Sequence, residues 1–349
     1  MIGIARLMGA VALAALALTD VTQAADRIRI GEGPFITGGA FFVAREKGYF
    51  AKMGIEIETK SFIDGALAVP SMISGELDMS FMTPNASLFN SVAKGAPLVI
   101  VLDRGSNKKG YAYTIVNVSQ ALADAGLKSL ADFAKLKGKK IGVGALGSIN
   151  QYNTAQALVK AGLDPAKDVQ WVVNVSQPDL MKMLGAGQVD ATDLAWQFGV
   201  FAQQNKWGPI VASGDEMVPD AAIGMYAVRK EFLDKNRDVV VRFAMAYLHA
   251  AKEFNAAAKA PDQHADIVEI LAKNTALNKP ELVRSIAPNW SYVSEDGTPL
   301  VKSIMQMQDF WNGPYFHFVE KKVTEAQLFD LGVTKEAQAR LAKDKPFDK

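Results

Sequence analysis

Short runs of apolar and β-branched residues alternate with longer stretches in which apolar positions recur at helical spacing, and this rhythm governs the chain beyond residue 25. Residues 27–30 read as a first strand. Residues 40–53 read as a helix carrying Phe42, Tyr49 and Met53 on one face, with Gly54 as its stop. A strand at 55–59, a helix at 66–74 and a strand at 77–81 follow, and Thr83-Pro84-Asn85 opens another helix with Pro in its first turn, where the missing N–H costs nothing. After a fourth strand at 98–102, residues 103–111 are rich in Gly, Ser, Asn and Lys and read as a crossing between two lobes. The second series holds strands at 113–116, 140–143, 169–173, 191–195 and 210–212 and helices at 148–161 and 178–184. Residues 222–228 then carry the chain back. A long amphipathic helix at 238–255 places Val240, Phe243, Tyr247, Ala251 and Phe254 at core spacing, and the remainder is mainly helical padding for the first lobe. Repeated βαβ units of this kind predict an α/β protein with mostly parallel sheets.

The N-terminus breaks the rhythm. Arg6, the apolar run 7–18 and the small-residue stretch Thr22-Gln23-Ala24 follow the order of a secretory signal peptide, with cleavage expected after Ala24 and Ala25 as the alternative. The apolar run is too short for a bilayer core that needs roughly 20 residues. No later stretch is longer, so a released periplasmic protein is expected. The chain has no cysteine, which leaves neither a lipidated N-terminus nor disulfides. Residues 25–349 suit two domains, one lobe formed by 25–104 with 222–349 and the other by 105–221. The 38 basic and 37 acidic residues nearly cancel, so neither a nucleic-acid footprint nor a polybasic membrane patch is expected.

Two phrases carry a family likeness. The first is Arg29-Ile30-Gly31 followed by Phe42-Val43-Ala44-Arg45-Glu46-Lys47-Gly48-Tyr49-Phe50, Gly54-Ile55 and Ile57-Glu58. The second is Ser74-Gly75-Glu76-Leu77-Asp78 with Leu130-Ala131-Asp132 and Leu136-Lys137-Gly138-Lys139-Lys140-Ile141-Gly142-Val143. Over nearly the whole chain after residue 24 the sequence resembles the type II periplasmic solute-binding proteins of ABC importers, in the nitrate, sulfonate, taurine and thiamine-pyrimidine group. The resemblance implies two mixed sheets flanked by helices in two lobes, joined by two crossing strands, with ligand held in the cleft. It implies a monomer that captures a small organic solute by lobe closure and hands it to the membrane permease subunits, with no cofactor. The exposed charges Glu76, Lys94 and Lys182 are candidates for that docking.

Parallel sheets bind ligands at the carboxyl ends of their strands, where helix N-termini offer free N–H groups. On that rule Phe35, Thr37 and Gly38 come from the first loop, Thr83 and Asn85 from the third, and Arg104 from the end of the fourth strand. Gly147, Ser148 and Asn150 come from the loop 146–151, and Asp193 and Trp196 from the strand end beyond it. Phe35, Tyr111 and Trp196 suit a flat ring. Arg104 reads either as a bidentate clamp for a carboxylate or sulfonate, aided by the N–H groups of Gly147, Ser148 and Ile149, or as a solvated hinge residue. Thr37 and Ser148 equally suit helix caps, Asn85 an early helix position, Phe35 a lid over the core and Trp196 the core itself. Relatives commonly carry Trp-Glu-Pro where this chain has Trp196-Gln197-Phe198. The lost acid favours an anionic or neutral solute, a sulfonate, a carboxylate or a pyrimidine-like ring.

Two enzymatic alternatives stand beside this reading. Gly142-Val143-Gly144-Ala145-Leu146-Gly147 matches the glycine fingerprint of dinucleotide-binding folds, yet the next strand ends Val172-Val173-Asn174 without the acid that would hold a ribose. An enzyme on the same fold is the other alternative. Its relatives depend on Cys or His, and here cysteine is lacking while His249, His264 and His317 are widely spaced and form no metal-binding pattern.

Overall fold

The computed structural model describes residues 25–348. The expected signal peptide, 1–24, lies outside them. Ten strands form two five-stranded mixed sheets. The first contains β1 (Asp26–Glu32), β2 (Ile55–Ser61), β3 (Met79–Met82), β4 (Leu98–Ser106) and β10 (Ala222–Arg229) in the order β2-β1-β3-β10-β4. The second contains β5 (Thr114–Val118), β6 (Lys140–Gly142), β7 (Gln170–Val172), β8 (Ala191–Ala195) and β9 (Ile210–Ser213) in the order β7-β6-β8-β5-β9.

The two sheets share a plan. In each, four strands run in one direction, and the strand that arrives directly from the other lobe inserts antiparallel: β10 between β3 and β4, β5 between β8 and β9. These inserted strands are buried along almost their whole length, and Ile115, Val116, Val118, Met225, Tyr226 and Val228 are all apolar because helices cover both faces. The helix Arg237–Lys259 covers the first sheet with Val240, Phe243, Tyr247, Ala251 and Phe254, the stripe its spacing predicts. Phe243 stacks on Phe50 at 4.8 Å, and each such ring stabilises the lobe by about 1.5–3 kcal/mol through area removed from water.

Three local expectations change. The helix expected over 40–53 is two pieces, Gly39–Glu46 and Tyr49–Lys52, because Gly48 adopts φ 73° and turns the chain between them. Pro84 lies outside the helix it was expected to open. Asn85 is the cap of Ala86–Ala93, its side chain accepting the Leu88 N–H at 2.9 Å. The fourth strand continues through Ser106 with every residue buried, so Asp103, Arg104 and Gly105 belong to the sheet.

The crossings therefore start later and run side by side. The Asn107 N–H donates to the Ala221 carbonyl and the Asp220 N–H to the Asn107 carbonyl, both at 2.9 Å. The Asn107 side chain accepts the Tyr113 N–H at 3.0 Å. One buried asparagine thus ties the outgoing chain to the returning one. Away from this point the lobes touch again, where Tyr152 of the helix Ile149–Lys160 meets Phe310 and Trp311 of Val301–Asn312 edge-on at 5.3 and 6.0 Å.

Candidate functional site

The carboxyl ends of the parallel strands from both sheets face one cavity of about 130 Å³. From the first lobe come Phe35 and Thr37 after β1, Ile63 and Asp64 after β2, Phe81, Thr83 and Asn85 at the end of β3, and Arg104 near the end of β4. From the second come Ala145, Leu146, Ser148, Ile149 and Asn150 after β6 and Gln177 after β7. Ile223 and Tyr113 enter at the beginnings of the two inserted antiparallel strands, which lie at the same edge because those strands run the other way.

The first-lobe wall is built on a buried ion pair. Arg104 and Glu32 are each 2 % exposed, and the guanidinium meets both carboxylate oxygens, with Nε at 3.4 Å from Oε2. Burial opposes the arginine's charge, but the field of Glu32 more than offsets it and holds Arg104 above its ordinary value. Nη1 donates to Thr37 Oγ1 at 2.8 Å, the ring of Phe81 lies 4.7 Å from the guanidinium carbon, and the Tyr226 hydroxyl donates to Glu32. Gly38 is required here, since a Cβ at that position would come within 2.8 Å of Nη2. The solvated hinge arginine expected as one alternative is excluded by burial, and the bidentate face expected as the other is already occupied by Glu32.

The second-lobe wall rests on a buried carboxylate with no cation beside it. Asp193 is fully buried and accepts from Asn150 Nδ2 and from the Thr154 hydroxyl, each at 2.9 Å. Burial pushes its carboxyl up to about 8, against the opposing pull of Asn150, Thr154 and Thr114. Asp193 does not itself line the cavity; Asn150 stands between. Ser148 caps the helix Ile149–Lys160 by accepting the Gln151 N–H at 3.3 Å. The Gly147 N–H, expected to face an anion, instead donates to Gln151 Oε1 at 2.7 Å. Gly147 sits at φ 69° against Ala86 of the other lobe, where a Cβ would meet the Ala86 Cβ at 3.1 Å.

Phe35, Thr37, Thr83, Asn85, Arg104, Ser148 and Asn150 thus come together on the cavity, while Gly38, Gly147 and Asp193 support its walls from behind. Trp196 and Tyr111 stand elsewhere: Trp196 packs on the first-lobe core with its main-chain N–H on the Tyr113 carbonyl at 2.9 Å, and Tyr111 packs on Tyr292 at 5.4 Å. Sequence reasoning missed Asp64, Gln177 and Glu32. The first two follow β2 and β7, and the carboxyl-end rule applied to those strands points to both. Glu32 carries no sequence signal, because its partner lies 72 positions away.

Residues 22–272 match the NMT1-like family. A Brucella abortus protein named as a binding protein is 27% identical over 262 residues, covering 74% of this chain and 75% of its own. Among solved structures, the periplasmic aliphatic sulphonate binding protein of Escherichia coli superposes with TM-score 0.69 at 20% identity, covering 87% of this chain and 92% of its own. The periplasmic nitrate-binding protein of Synechocystis reaches 0.71 at 12%, covering 93% and 91%. A desulfurization enzyme reaches 0.58 at 15%, covering 90% and 99%. The architecture is that of the type II periplasmic binding proteins.

Proposed function

The chain belongs to the NMT1-like family, and from this membership and the cleft we propose that it is the periplasmic solute-binding component of an ABC importer. One observation carries the proposal: a cavity about the size of a single ring is walled by both lobes, so a solute held there contacts both at once. A void of about 150 Å³ accepts benzene, which sets the scale for the 130 Å³ found here. Such a solute stabilises the closed arrangement of lobes that otherwise rotate about the paired crossings at Asn107 and Ala221. The permease subunits then read the closed form. Glu76, Lys94 and Lys182 stay the proposed docking charges; each is exposed and forms its ion pair with a neighbour on its own surface, Lys60, Glu320 and Asp179. Export by the segment 1–24, the lobe limits 25–104 with 222–349 and 105–221, and a monomeric state belong to the same proposal.

A thermal-shift screen of the purified protein with small solutes, followed by analysis of each solute for turnover, tests the proposal. We expect a saturable rise in melting temperature with a single-ring or similar small solute, recovered unchanged. Gly147→Val should weaken that binding at least tenfold, because its side chain would prop the lobes apart at Ala86. Turnover of the solute, or a response to NAD alone, would return the enzymatic alternatives.

A further inference from the structure

The charge and hydrogen-bond pattern of the cavity narrow the class of solute, given the binding function proposed above. Asp64 enters from the loop after β2. Its Oδ1 accepts the Ala66 N–H at 2.8 Å, while its other oxygen has no partner among the described residues. The cation that lines the cavity, Arg104, is matched by Glu32, whose two oxygens also take the Tyr226 hydroxyl and, at 2.8 Å, the Gly33 N–H. The charge of Asp64 is therefore unbalanced. Burial favours its neutral form, which a cation delivered to that spot would reverse.

The opposite wall presents a second acceptor. Asn150 Nδ2 lies 2.9 Å from Asp193 Oδ1 and 3.3 Å from the Asp193 main-chain oxygen. A main-chain carbonyl can only accept, so the amide is fixed with its nitrogen towards Asp193 whatever the protonation state of that side chain. Asn150 Oδ1 then has no hydrogen bond within the described protein and is left for a ligand N–H. An anion would have to settle at the N-terminus of Ile149–Lys160, worth about half an elementary charge. Of the N–H groups there, those of Gly147 and Gln151 are already taken by Gln151 Oε1 and Ser148 Oγ, those of Ser148 and Ile149 have no partner among the described residues, and Asp64 repels an anion whenever its carboxyl is ionised.

We infer that the solute is a small cationic nitrogen compound, an ammonium or amidinium on a body of about one ring, which pairs with Asp64 and donates a further N–H to Asn150 Oδ1. Gln177 supplies a donor for any acceptor the solute carries, because its Oε1 is held by the Ala195 N–H at 2.7 Å and its Nε2 is left over. This reverses the anionic preference drawn from the sequence. That preference rested on Arg104, whose charge the fold neutralises, on the N–H groups of Gly147, Ser148 and Ile149, of which the first is taken by Gln151, and on a missing acid near Trp196, which stands away from the cavity.

Titration calorimetry with five probes sharing one phenyl body tests the inference: benzylammonium, benzamidinium, benzyl alcohol, benzoate and benzenesulfonate. The two cations should bind at least tenfold more tightly than the alcohol, and the two anions most weakly. Asp64→Asn keeps an oxygen for the Ala66 N–H and should leave the melting temperature of the free protein in place, while lowering cation affinity at least tenfold towards that of the alcohol. Tighter binding of benzoate or benzenesulfonate, or cation affinity unchanged in Asp64→Asn, overturns the inference and leaves the solute-binding function standing. A protein that binds none of the five and no solute of the wider screen overturns both.

Discussion

Each lobe seals a carboxylate from water beside the cleft, and the two lobes treat that charge differently. In the first lobe Glu32 meets Arg104 and the hydroxyl of Tyr226, so the charge is fixed by an opposite one. In the second, Asp193 is surrounded by the neutral donors of Asn150 and Thr154, and burial lifts its carboxyl to about 8. An ion pair holds each charge against the other, so it depends on both partners. Neutral donors leave a group that takes up a proton instead, and losing any one of them is felt less. The first arrangement makes a rigid wall; the second makes one whose charge follows pH.

The sharpest way to break this comparison is to remove half of the ion pair. Arg104→Met should destabilise the protein by about 3–5 kcal/mol in urea unfolding, because Glu32 is left buried without its cation. The double variant Glu32→Leu with Arg104→Met should recover much of that loss. If the two single variants and the double are equally destabilised, the wall depends on the shape of these residues and the pairing of their charge is incidental.

In the second lobe the corresponding cut is smaller. Thr154→Val keeps the shape and deletes one donor to Asp193, for an expected cost of about 1.5–3 kcal/mol by the same measurement. A cost as large as that of Arg104→Met would erase the distinction between the two walls.

The smallest effect is a slope, not a level. Asp193 near 8 in the folded protein compares with about 3.9 in an unfolded chain, so between those values the native state holds a proton that the unfolded state has released. Its stabilising contribution is complete below the unfolded value, is lost steadily as pH rises through the window, and changes no further above about 8. One such proton is worth at most about 1.4 kcal/mol per pH unit. Asp103, lifted by burial to about 7, adds a second share over a narrower window. Asp193→Asn should flatten the fall in stability between pH 5 and 8 by up to one proton's worth, read from unfolding at pH 5.5, 6.5 and 7.5. An unchanged slope would show that Asp193 ionises in the native state as an exposed carboxylate does.

The fold was legible wherever local pattern and tertiary packing agreed. The strand Ala191–Ala195 falls on the residues expected for it, and the stripe Val240, Phe243, Tyr247, Ala251 and Phe254 meets the first sheet because helical spacing and burial ask for the same residues. Legibility failed where one residue overrode the pattern, as Gly48 does within 40–53 by turning left-handed, and where a cap competed with Pro84 for the start of a helix. It failed again at β4, whose polar end Asp103-Arg104-Gly105 reads as loop but is buried because Glu32 and the neighbouring β10 receive it.

By itself the amino-acid order determined the α/β alternation, the two lobes and the rule that strand ends would carry the site, because these follow from periodicity and chain direction. It also placed Phe35, Thr37, Asn85 and Ser148 in loops that meet at one cavity. Only the tertiary structure decided what those loops offer a ligand. Charge in a cleft is a sum over groups far apart in sequence: Glu32 cancels Arg104 across 72 positions, Asp193 fixes the amide of Asn150 across 43, and Asp64 is left uncompensated between them. No local pattern carries that sum, since each term falls with distance in space and none with distance along the chain.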